Sequence, residues 1–415
     1  MIFLYELFIR TYFLLIRLYA NFNRKARRFV EGRKDWQKQT EKIAASGKKK
    51  IWLHCASLGE FEQGRPVIEK LRELLPDHEI ILTFFSPSGY EIRQNYEGAE
   101  HVIYLPMDTR HNAKKFIRRI RPSLVVFVKY EFWFNYINEL YKSGIPLYMI
   151  SVNFRPGQHY FKWYGKWFAQ QLRKVNWFFV QNERSRDLLH SIDIRNVKIS
   201  GDTRFDRVHK IARQAEPIPE IESFMGGDKV FLAGSSWPPG ERMIRELYDK
   251  KMDGIKFIIA PHDVGKSHID ELQHKLFPGA LLFSEIDKHP GTDSKVLIID
   301  SIGQLSRLYQ YAHISYIGGG FGVGIHNILE AATFGSPVLF GPNYGKFQEA
   351  VDLVQLGGAF VIKNANALIR KTDELFHDQE FHEETADICR NYVEHHRGAT
   401  EMITAQLRKD LDPGN

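Results

Sequence analysis

The sequence contains very little cysteine. Cys55 and Cys389 are the two cysteines among 415 residues, and neither belongs to a CxxC pair or to a Cys/His spacing typical of zinc sites. Two thiols cannot build a disulfide framework, and a structural zinc site needs about four ligands of this kind. The composition therefore excludes a disulfide-rich secreted protein and indicates a reducing, cytosolic compartment. We expect Cys389 to be an inert thiol in a polar helix.

Long uncharged apolar runs are also missing. The first 30 residues hold eight aromatic side chains, but Glu6, Arg10 and Arg17 interrupt them. A membrane-spanning helix needs about 20 largely uncharged residues, and a secretory signal needs a basic start and a small-residue cleavage site. Arg10, Arg17 and Arg24 recur every seven residues, which places them on one side of a helix. We expect residues 1–48 to be a membrane-associating segment whose helix lies on an anionic surface; a helix packed on the core and a span with snorkelling arginines are the alternatives.

A surplus of positive charge is missing outside the amino terminus. The net charge is +7, and the first 50 residues alone carry 13 Lys or Arg against 4 Asp or Glu. A nucleic-acid-binding protein spreads a basic face over its folded domains, which this chain does not do. The charge distribution therefore argues against a nucleic-acid partner and suits contact with an anionic leaflet.

From residue 49 onward, short apolar runs alternate with helical patterns. The runs predict ten strands, at 51–54, 80–83, 124–128, 147–152, 177–180, 230–233, 257–260, 296–299, 313–317 and 337–340. Continuous apolar strands separated by helices predict parallel sheets covered on both faces. Residues 206–227 hold two prolines and lack periodicity, which indicates a linker. The expected fold class is α/β, with two doubly wound domains, at 49–205 and 228–415, facing a cleft.

The loop after the first predicted strand carries a candidate catalytic residue. Ser57 and Glu60 lie where this strand gives way to a helix, and the helix dipole stabilises a carboxylate in the first turn. A carboxylate at a cleft can act as a general base on a hydroxyl. The same Ser-x-x-Glu spacing is that of a capping box, in which the glutamate only holds the helix start. The spacing alone leaves both roles of Glu60 open, general base and helix cap. We expect the neighbouring Cys55 to be a buried thiol rather than a nucleophile.

A glycine-rich loop follows the strand predicted at 313–317. Five of the seven residues from 318 to 324 are glycine, and a helix is predicted directly after them. Backbone N–H groups in such a loop can hold a phosphate, although the spacing matches neither the dinucleotide fingerprint nor the nucleoside-triphosphate loop. Asn327 and Glu330 lie one helical turn apart and could grip a ribose or a base. A flexible turn is the alternative.

Other strand ends carry further candidates. Lys129 and Glu131 follow the strand at 124–128 and either act in function or form a local ion pair. Arg204 is a cation for developing negative charge or a surface arginine. His262 contacts a phosphate or is a neutral loop histidine. The segment 159–168 interleaves cations with aromatic rings, which suits a lipid-headgroup rim, stacking on single-stranded nucleic acid, or core packing.

An ordered set of motifs resembles a known family. The set comprises HCASLGE at 54–60, SPSG at 86–89, YLPMD at 104–108, EFW at 131–133, GDTRFD at 201–206, AGSS at 233–236 and the glycine loop through Glu330. It resembles the 3-deoxy-D-manno-octulosonic acid (Kdo) transferases of bacterial lipopolysaccharide synthesis, and the resemblance extends over almost the whole chain.

The resemblance implies a metal-independent, cofactor-free inverting glycosyltransferase with two Rossmann-like domains (the GT-B type). Such an enzyme moves Kdo from CMP-Kdo to a lipid A precursor (lipid IVA) at the cytoplasmic face of the inner membrane. The first domain then binds the acceptor and the second the CMP-sugar. Glu60 matches the family's catalytic base, and Lys129, Glu131 and Arg204 match its transition-state groups. The family has glutamate where Lys129 stands, so the role of Lys129 is open, whereas Arg204 preserves the charge of a lysine.

Donor contacts are implied by the same resemblance. They fall on Ser235, Ser236, Pro261, His262, Ile317, Gly318, Gly319, Asn327, Ile328, Leu329 and Glu330. The family usually has arginine where His262 stands, which weakens a phosphate contact. Two other functions fit the residues: a GT-B transferase using another donor such as a UDP-sugar, and a non-catalytic, membrane-tethered nucleotide-binding module.

Overall fold

Two seven-stranded parallel sheets organise the chain. The computed structural model describes residues 1–289 and 293–411. The first unit comprises Met1–Asp206 together with the carboxy-terminal segment from Arg397, and the second comprises Arg207–His396. The predicted α/β class with two parallel-sheet domains is confirmed.

The strands of the first sheet are β1 (Lys49–Cys55), β2 (His78–Phe84), β3 (His101–Tyr104), β4 (Leu124–Val128), β5 (Leu147–Val152), β6 (Trp177–Val180) and β7 (Val197–Ile199). Those of the second are β8 (Lys229–Ser236), β9 (Ile255–Pro261), β10 (Leu281–Leu282), β11 (Val296–Ile298), β12 (Ala312–Ile317), β13 (Val338–Phe340) and β14 (Ala359–Val361). The spatial orders are β3-β2-β1-β4-β5-β6-β7 and β10-β11-β9-β8-β12-β13-β14. Because β1 and β8 lie inside their sheets, the loops after them open at points where the chain changes direction, which is where such sheets bind ligands.

The helices are α1 (Ile2–Tyr19), α2 (Arg24–Glu31), α3 (Trp36–Ala45), α4 (Leu58–Leu74), α5 (Pro87–Arg93), α6 (Arg110–Ile120), α7 (Phe134–Lys142), α8 (Lys166–Leu172), α9 (Glu183–His190), α10 (Arg204–Arg213), α11 (Pro219–Met225), α12 (Pro238–Tyr248), α13 (Lys266–Glu271), α14 (Leu305–Leu308), α15 (Leu329–Ala332), α16 (Gln348–Leu356), α17 (Ala365–His377), α18 (Gln379–His395) and α19 (Ala399–Leu411).

The two faces of the first sheet have separate cores. Ile51 and Leu53 of β1 pack in one cluster with residues of α4 and α19. Trp52, whose side chain points the other way, is fully buried in the cluster that contains α6 and α7. Replacing such a buried ring by alanine costs about 3–5 kcal/mol, so Trp52 anchors the layer of helices that supports the site.

Helix α1 packs on the first unit along one side and is apolar on the other. Tyr5 and Ile9 contact the unit, and the ring centroids of Tyr5 and Phe134 are 5.0 Å apart. Phe3 is 74% exposed and Phe22, just beyond the helix, is 88% exposed. The packed-helix alternative is therefore correct for one face of α1, while the other face has no protein covering it in the described part of the chain.

The arginine stripe predicted for one helix is interrupted. α1 ends at Tyr19, and Arg24 begins α2, whose first turn is capped by the side chain of Asn23 accepting a hydrogen bond from the N–H of Ala26 (3.0 Å). Arg10 and Arg17 thus share a helix, but Arg24 does not.

Within residues 1–289 and 293–411, no helix combines the length and the apolar character that crossing a bilayer requires.

The unit limits differ from the predicted domain limits at two places. Residues 397–411 belong to the first unit, because the carboxylate of Asp206 accepts hydrogen bonds from the N–H groups of Gly398 (2.6 Å) and Thr400 (2.7 Å) at the start of α19. The predicted linker at 206–227 contains most of α10 and all of α11, which starts at Pro219, a residue preset for the first helical turn. Residues 290–292 and 412–415 of the predicted second domain lie outside the described residues.

Candidate functional site

Glu60 lies at the amino end of α4, directly after β1. Ser57 precedes the helix in an extended conformation, and its side chain makes no capping hydrogen bond to the backbone. Its hydroxyl donates instead to the carboxylate of Glu60. The capping-box geometry is therefore not formed, and the carboxylate of Glu60 is available at the helix terminus that favours its charge.

Cys55 lies next to this loop but cannot be a nucleophile in its present surroundings. Its side chain is fully buried. Burial first, and the charges of Glu60 and Glu131 second, raise the pKa of the thiol well above its usual value. The sulfur therefore stays protonated, as a buried structural thiol does.

Glu131 is held by a network that the sequence did not reveal. Its Oε2 accepts a hydrogen bond from Trp133 Nε1 (2.7 Å) and lies 3.2 Å from Nε2 of the buried His54. On the other side of the ring, His54 Nδ1 lies 2.8 Å from the hydroxyl oxygen of Thr83, which itself accepts from Trp52 Nε1 (2.8 Å). The ring also contacts the carbonyl oxygen of Thr83 through Nδ1 (3.1 Å) and Trp133 Nε1 through Nε2 (3.1 Å), so His54 links β1 and β2 to Glu131 with either nitrogen protonated.

Arg204 is paired with a buried carboxylate. Its Nε donates to Asp202 Oδ2 (2.9 Å), and the same oxygen accepts from Gln63 Nε2 (2.8 Å) and Gln181 Nε2 (2.7 Å). Burial alone raises the pKa of Asp202, but the charge and hydrogen bonds of Arg204, with a smaller contribution from Lys129, hold it below its usual value. Arg204 is thus neither a free cation nor a plain surface arginine: Asp202 orients it.

Lys129 directly follows β4 in a left-handed backbone conformation, with φ of 66°. Such a conformation is uncommon outside glycine and costs about 1 kcal/mol, and strained residues of this kind cluster at functional sites. The charge of Lys129 acts on Asp202, as that of Arg204 does. Lys129 therefore belongs to the electrostatic surroundings of the Asp202–Arg204 pair.

In the second unit, packing explains part of the glycine content of the loop after β12. A Cβ atom on Gly318 would lie 1.9 Å from the carbonyl oxygen of Ser235, and one on Gly320 would lie 2.5 Å from the N of Gly341. These two glycines are needed for close contact between neighbouring loops, whatever ligand binds. The loop also does not lead straight into a helix, because α15 begins only at Leu329 and has four residues.

Asn327 and Glu330 contact each other, as their spacing predicts. Asn327 Nδ2 donates to Glu330 Oε1 (3.0 Å), and Asn327 Oδ1 accepts from the N–H of Leu329 (3.2 Å). Burial raises the pKa of Glu330, while Asn327 and Arg207 act in the opposite direction. The side chains of Ile317, Ile328 and Leu329 are buried, so these three positions can meet a ligand only through their backbone groups.

The loop after β8 rests on a buried glutamate. Ser236 is buried, and its hydroxyl donates to Glu241 Oε1 (2.8 Å), which also lies 3.1 Å from His268 Nε2. Ser235 next to it is half-buried and has a φ of 48°. Ser236 therefore supports the loop, and Ser235 is the more accessible of the two serines.

Three aromatic rings stack beside the glycine loop. Trp237 lies over His262, with ring centroids 4.6 Å apart, and Trp237 Nε1 donates to His326 Nε2 (3.1 Å). Burial, and then the neighbouring His262, lower the pKa of His326. His326 is therefore a neutral acceptor, and the exposed His262, after the buried Pro261, is the imidazole that can approach a phosphate.

The sequence reasoning missed His54, Asp202 and Glu241 as site residues. Each is buried and polar, and each is the partner of a predicted residue. The sequence could have indicated His54 and Asp202 as site residues, since both lie at strand ends within the motifs quoted above. Glu241 carried the weaker signal of an acidic residue in a first helical turn.

Comparisons with known proteins agree on one family. Residues 25–207 match the family model described as 3-Deoxy-D-manno-octulosonic-acid transferase (kdotransferase). A 3-deoxy-D-manno-octulosonic acid transferase of Rickettsia felis is 28% identical over 333 residues, which cover 77% of this chain and 70% of that protein. One from Haemophilus influenzae is 23% identical over 377 residues, covering 87% of each.

Solved structures share the fold. A putative UDP-N-acetylglucosamine 2-epimerase from Listeria monocytogenes superposes with a TM-score of 0.62 at 13% identity, covering 89% of this chain and 98% of the other. A glycosyltransferase from Rickettsia africae ESF-5 gives 0.56 at 13% identity, covering 89% and 100%. These likenesses show two parallel-sheet α/β domains of the GT-B type. Together, the family model over residues 25–207 and relatives that are 23–28% identical show that the chain is similar to 3-deoxy-D-manno-octulosonic acid (Kdo) transferases over most of its length.

Proposed function

We propose that this protein is a Kdo transferase that moves Kdo from CMP-Kdo to a hydroxyl of a lipid A precursor such as lipid IVA, with inversion and without a metal, at the cytoplasmic face of the inner membrane. The similarity to Kdo transferases supports Kdo as the transferred sugar. The donor, the acceptor and the location are supported by the residues discussed next.

The position of Glu60 is the observation that carries the mechanism. Its carboxylate lies at the amino end of α4 and is held by the hydroxyl of Ser57 rather than by the backbone. In a single displacement, this carboxylate takes the proton of the acceptor hydroxyl while the oxygen attacks the anomeric carbon. The bond from that carbon to the CMP oxygen breaks in the same step, which inverts the configuration.

Two further groups of the first unit suit a developing charge. Glu131 is oriented by His54 and Trp133, and Arg204 is oriented by Asp202. A carboxylate and a guanidinium held by buried partners reorganise little during the reaction, which is the main source of electrostatic catalysis.

The departing CMP gains negative charge on its phosphate. In the second unit, the N–H of Gly318 already donates to the carbonyl oxygen of Gly234 (2.9 Å), so we assign this charge to the N–H of Gly319 and to His262 beside the loop. Asn327 and Glu330, joined by their hydrogen bond, are the polar pair that we assign to the nucleoside.

An apolar groove of about 720 Å³ supports a lipid acceptor. We use this name for the groove that α1 forms with the aromatic segments 130–134 and 159–168, and it reaches Ala56 and Glu131. Its apolar walls suit an acyl chain, and its inner end lies beside the loop that carries Glu60. The uncovered face of α1 and the 87% exposed Trp163 support contact with a membrane surface.

The test is transfer by purified protein from CMP-Kdo to lipid IVA, with mass spectrometry of the product. Glu60→Gln is expected to keep its thermal midpoint and its stabilisation by CMP while turnover falls by about 100-fold or more. Glu73→Gln, at the other end of α4, is the matched control and should keep full turnover. Wild-type turnover in Glu60→Gln contradicts the mechanism, and stronger stabilisation by UDP than by CMP contradicts the donor.

A further inference from the structure

A second cavity in the first unit is basic rather than apolar. It has a volume of about 770 Å³ and lies between α1, α6, α7 and α8. We call it the basic cavity. Its cationic side chains are Arg10, Arg110, Lys114, Lys142 and Lys174. Glu6 and Glu139 are the carboxylates on its wall, so five cationic side chains face two anionic ones.

One of those carboxylates is already engaged. Glu6 Oε1 accepts from Arg10 (2.9 Å), and Glu6 Oε2 accepts from the N–H of Arg110 (3.0 Å) and from Asn135 Nδ2 (3.1 Å). In the part of the chain that the structure describes, the side chains of Arg110, Lys114 and Lys142 form no ion pair. The cavity therefore holds cationic side chains that the protein itself does not neutralise.

Lys174 shows that these cations are held in place. Its ammonium donates to the amide oxygens of Asn138 and Gln171, the latter at 2.7 Å, and not to a carboxylate. Burial first, and the charge of Lys142 second, lower its pKa. The positive charge of Lys142 thus acts on Lys174, and a bound anion would offset that repulsion.

The mouth of the cavity is apolar. Ile2 and the largely exposed Phe3 of α1 line it, and Trp167 lines both this cavity and the apolar groove. A ligand that binds both the cationic side chains and the apolar side chains of the cavity is amphipathic and carries a compact dianionic group. Phosphomonoesters are such dianions, and lysine and arginine bind them through charge-assisted hydrogen bonds.

We infer that the basic cavity binds a phosphomonoester of the glycolipid acceptor, while the apolar groove on the other side of α1 takes an acyl chain. This inference rests on the proposed function, because it takes the acceptor to be a phosphorylated glycolipid. The cavity selects acceptors by their phosphate and positions the sugar near the loop of Glu60.

Binding, rather than turnover, tests the inference. Isothermal titration of the full chain in detergent compares lipid IVA with lipid IVA from which both phosphates have been removed. The wild-type chain is expected to bind the phosphorylated form at least about tenfold more tightly, a difference of about 1.4 kcal/mol, because the phosphates make charge-assisted hydrogen bonds to the cavity. Lys114→Gln/Lys142→Gln should lose most of that difference without weaker binding of the dephosphorylated form. Both lysines are exposed, so neutralising them leaves the core intact.

The control removes the same charge from the opposite face of the sheet. Arg408→Gln/Lys409→Gln lies on α19, which packs with α4, whereas Lys114 and Lys142 lie on α6 and α7. This variant should discriminate between the two lipids as the wild-type chain does. Equal losses in the two double variants would assign the effect to overall surface charge and overturn the inference.

Three other outcomes decide the remaining points. Unchanged discrimination in Lys114→Gln/Lys142→Gln overturns the inference. Inorganic phosphate binding as tightly as lipid IVA overturns the assignment to a glycolipid. If the wild-type chain prefers the phosphorylated lipid but transfers no Kdo, the proposed function fails and the assignment of the basic cavity stands. If the chain transfers Kdo but binds both lipids equally, the proposed function stands and the assignment of the basic cavity fails.

Discussion

The contact between Tyr5 and Asp108 holds α1 on the first unit and lends itself to a quantitative test. Tyr5 Oη donates to Asp108 Oδ2 at 2.6 Å. The carboxylate of Asp108 is buried and also accepts from the N–H groups of Asn135 (3.1 Å) and Tyr136 (3.0 Å) at the start of α7. The phenol ring packs edge-on against Phe134. One hydroxyl therefore joins an amino-terminal helix to a buried charge of the fold.

Tyr5→Phe removes the hydroxyl and leaves the ring packing intact. Burial raises the pKa of Asp108 to about 7, so the carboxyl group is ionised above that pH. A hydrogen bond to a charged group contributes about 1.5–3 kcal/mol, and Asp108 keeps its two backbone donors, so above pH 7 we expect a loss of about 2 kcal/mol in the docking of α1. At about 1.4 kcal/mol per factor of ten, the population with α1 detached should rise about 30-fold. The sheet and its helices should keep their own stability, because the change lies outside their cores.

Hydrogen exchange of the α1 amides measures this opening directly. The amides of Ile9 and Phe13 should lose about 30-fold in protection in Tyr5→Phe, while amides of β1 and β4 keep theirs. Tyr12→Phe is the matched control, because Tyr12 is exposed and its ring stacks on Phe8 within α1 itself. Unchanged protection in Tyr5→Phe, or an equal loss in Tyr12→Phe, would refute the account of how α1 is held.

Three other predictions concern pH, loop contact and donor binding. Burial raises the pKa of Asp108 to about 7 from 3.8, so the folded chain keeps this proton longer than the unfolded one. The first unit should therefore lose up to about 4 kcal/mol of stability between about pH 4 and pH 7, and Asp108→Asn should flatten that part of the urea-midpoint profile. Gly318→Ala places its Cβ 1.9 Å from the carbonyl oxygen of Ser235, so it should lower the free energy of unfolding by about 1–3 kcal/mol and abolish the thermal stabilisation by CMP. Gly322→Ala is the control: its Cβ lies 3.6 Å from the nearest atom, and both the stability and the stabilisation by CMP should be kept. His262→Arg offers a permanent cation with two parallel donors and should lower the KM for CMP-Kdo about tenfold with kcat unchanged; an unchanged KM contradicts the phosphate role of His262.

The strands that the sequence predicted are the inner ones. The ten predicted runs correspond to β1, β2, β4, β5, β6, β8, β9, β11, β12 and β13, and the predicted limits of β4, β5 and β6 are those observed. The four strands that escaped prediction, β3, β7, β10 and β14, are the edges of the two sheets. An inner strand is covered on both faces and must be a continuous apolar run, whereas an edge strand is short and partly exposed, so its residues carry no such pattern.

The candidate site divides in a similar way. The motifs located Glu60, Glu131 and Arg204, because the chemistry resides in residue types placed at strand ends. The orientation of each side chain depends on contacts that are distant in the chain: Glu131 meets His54, and Asp202, which holds the neighbouring Arg204, is itself held by Gln63.

Local order along the chain thus determined which segments become inner strands and which loops carry the candidate site residues. The folded sheet decided which buried polar group orients each candidate, and where α1 and α19 pack. Parallel strands bring together residues separated by a whole helix or more, and neither hydrophobic periodicity nor residue spacing records that proximity.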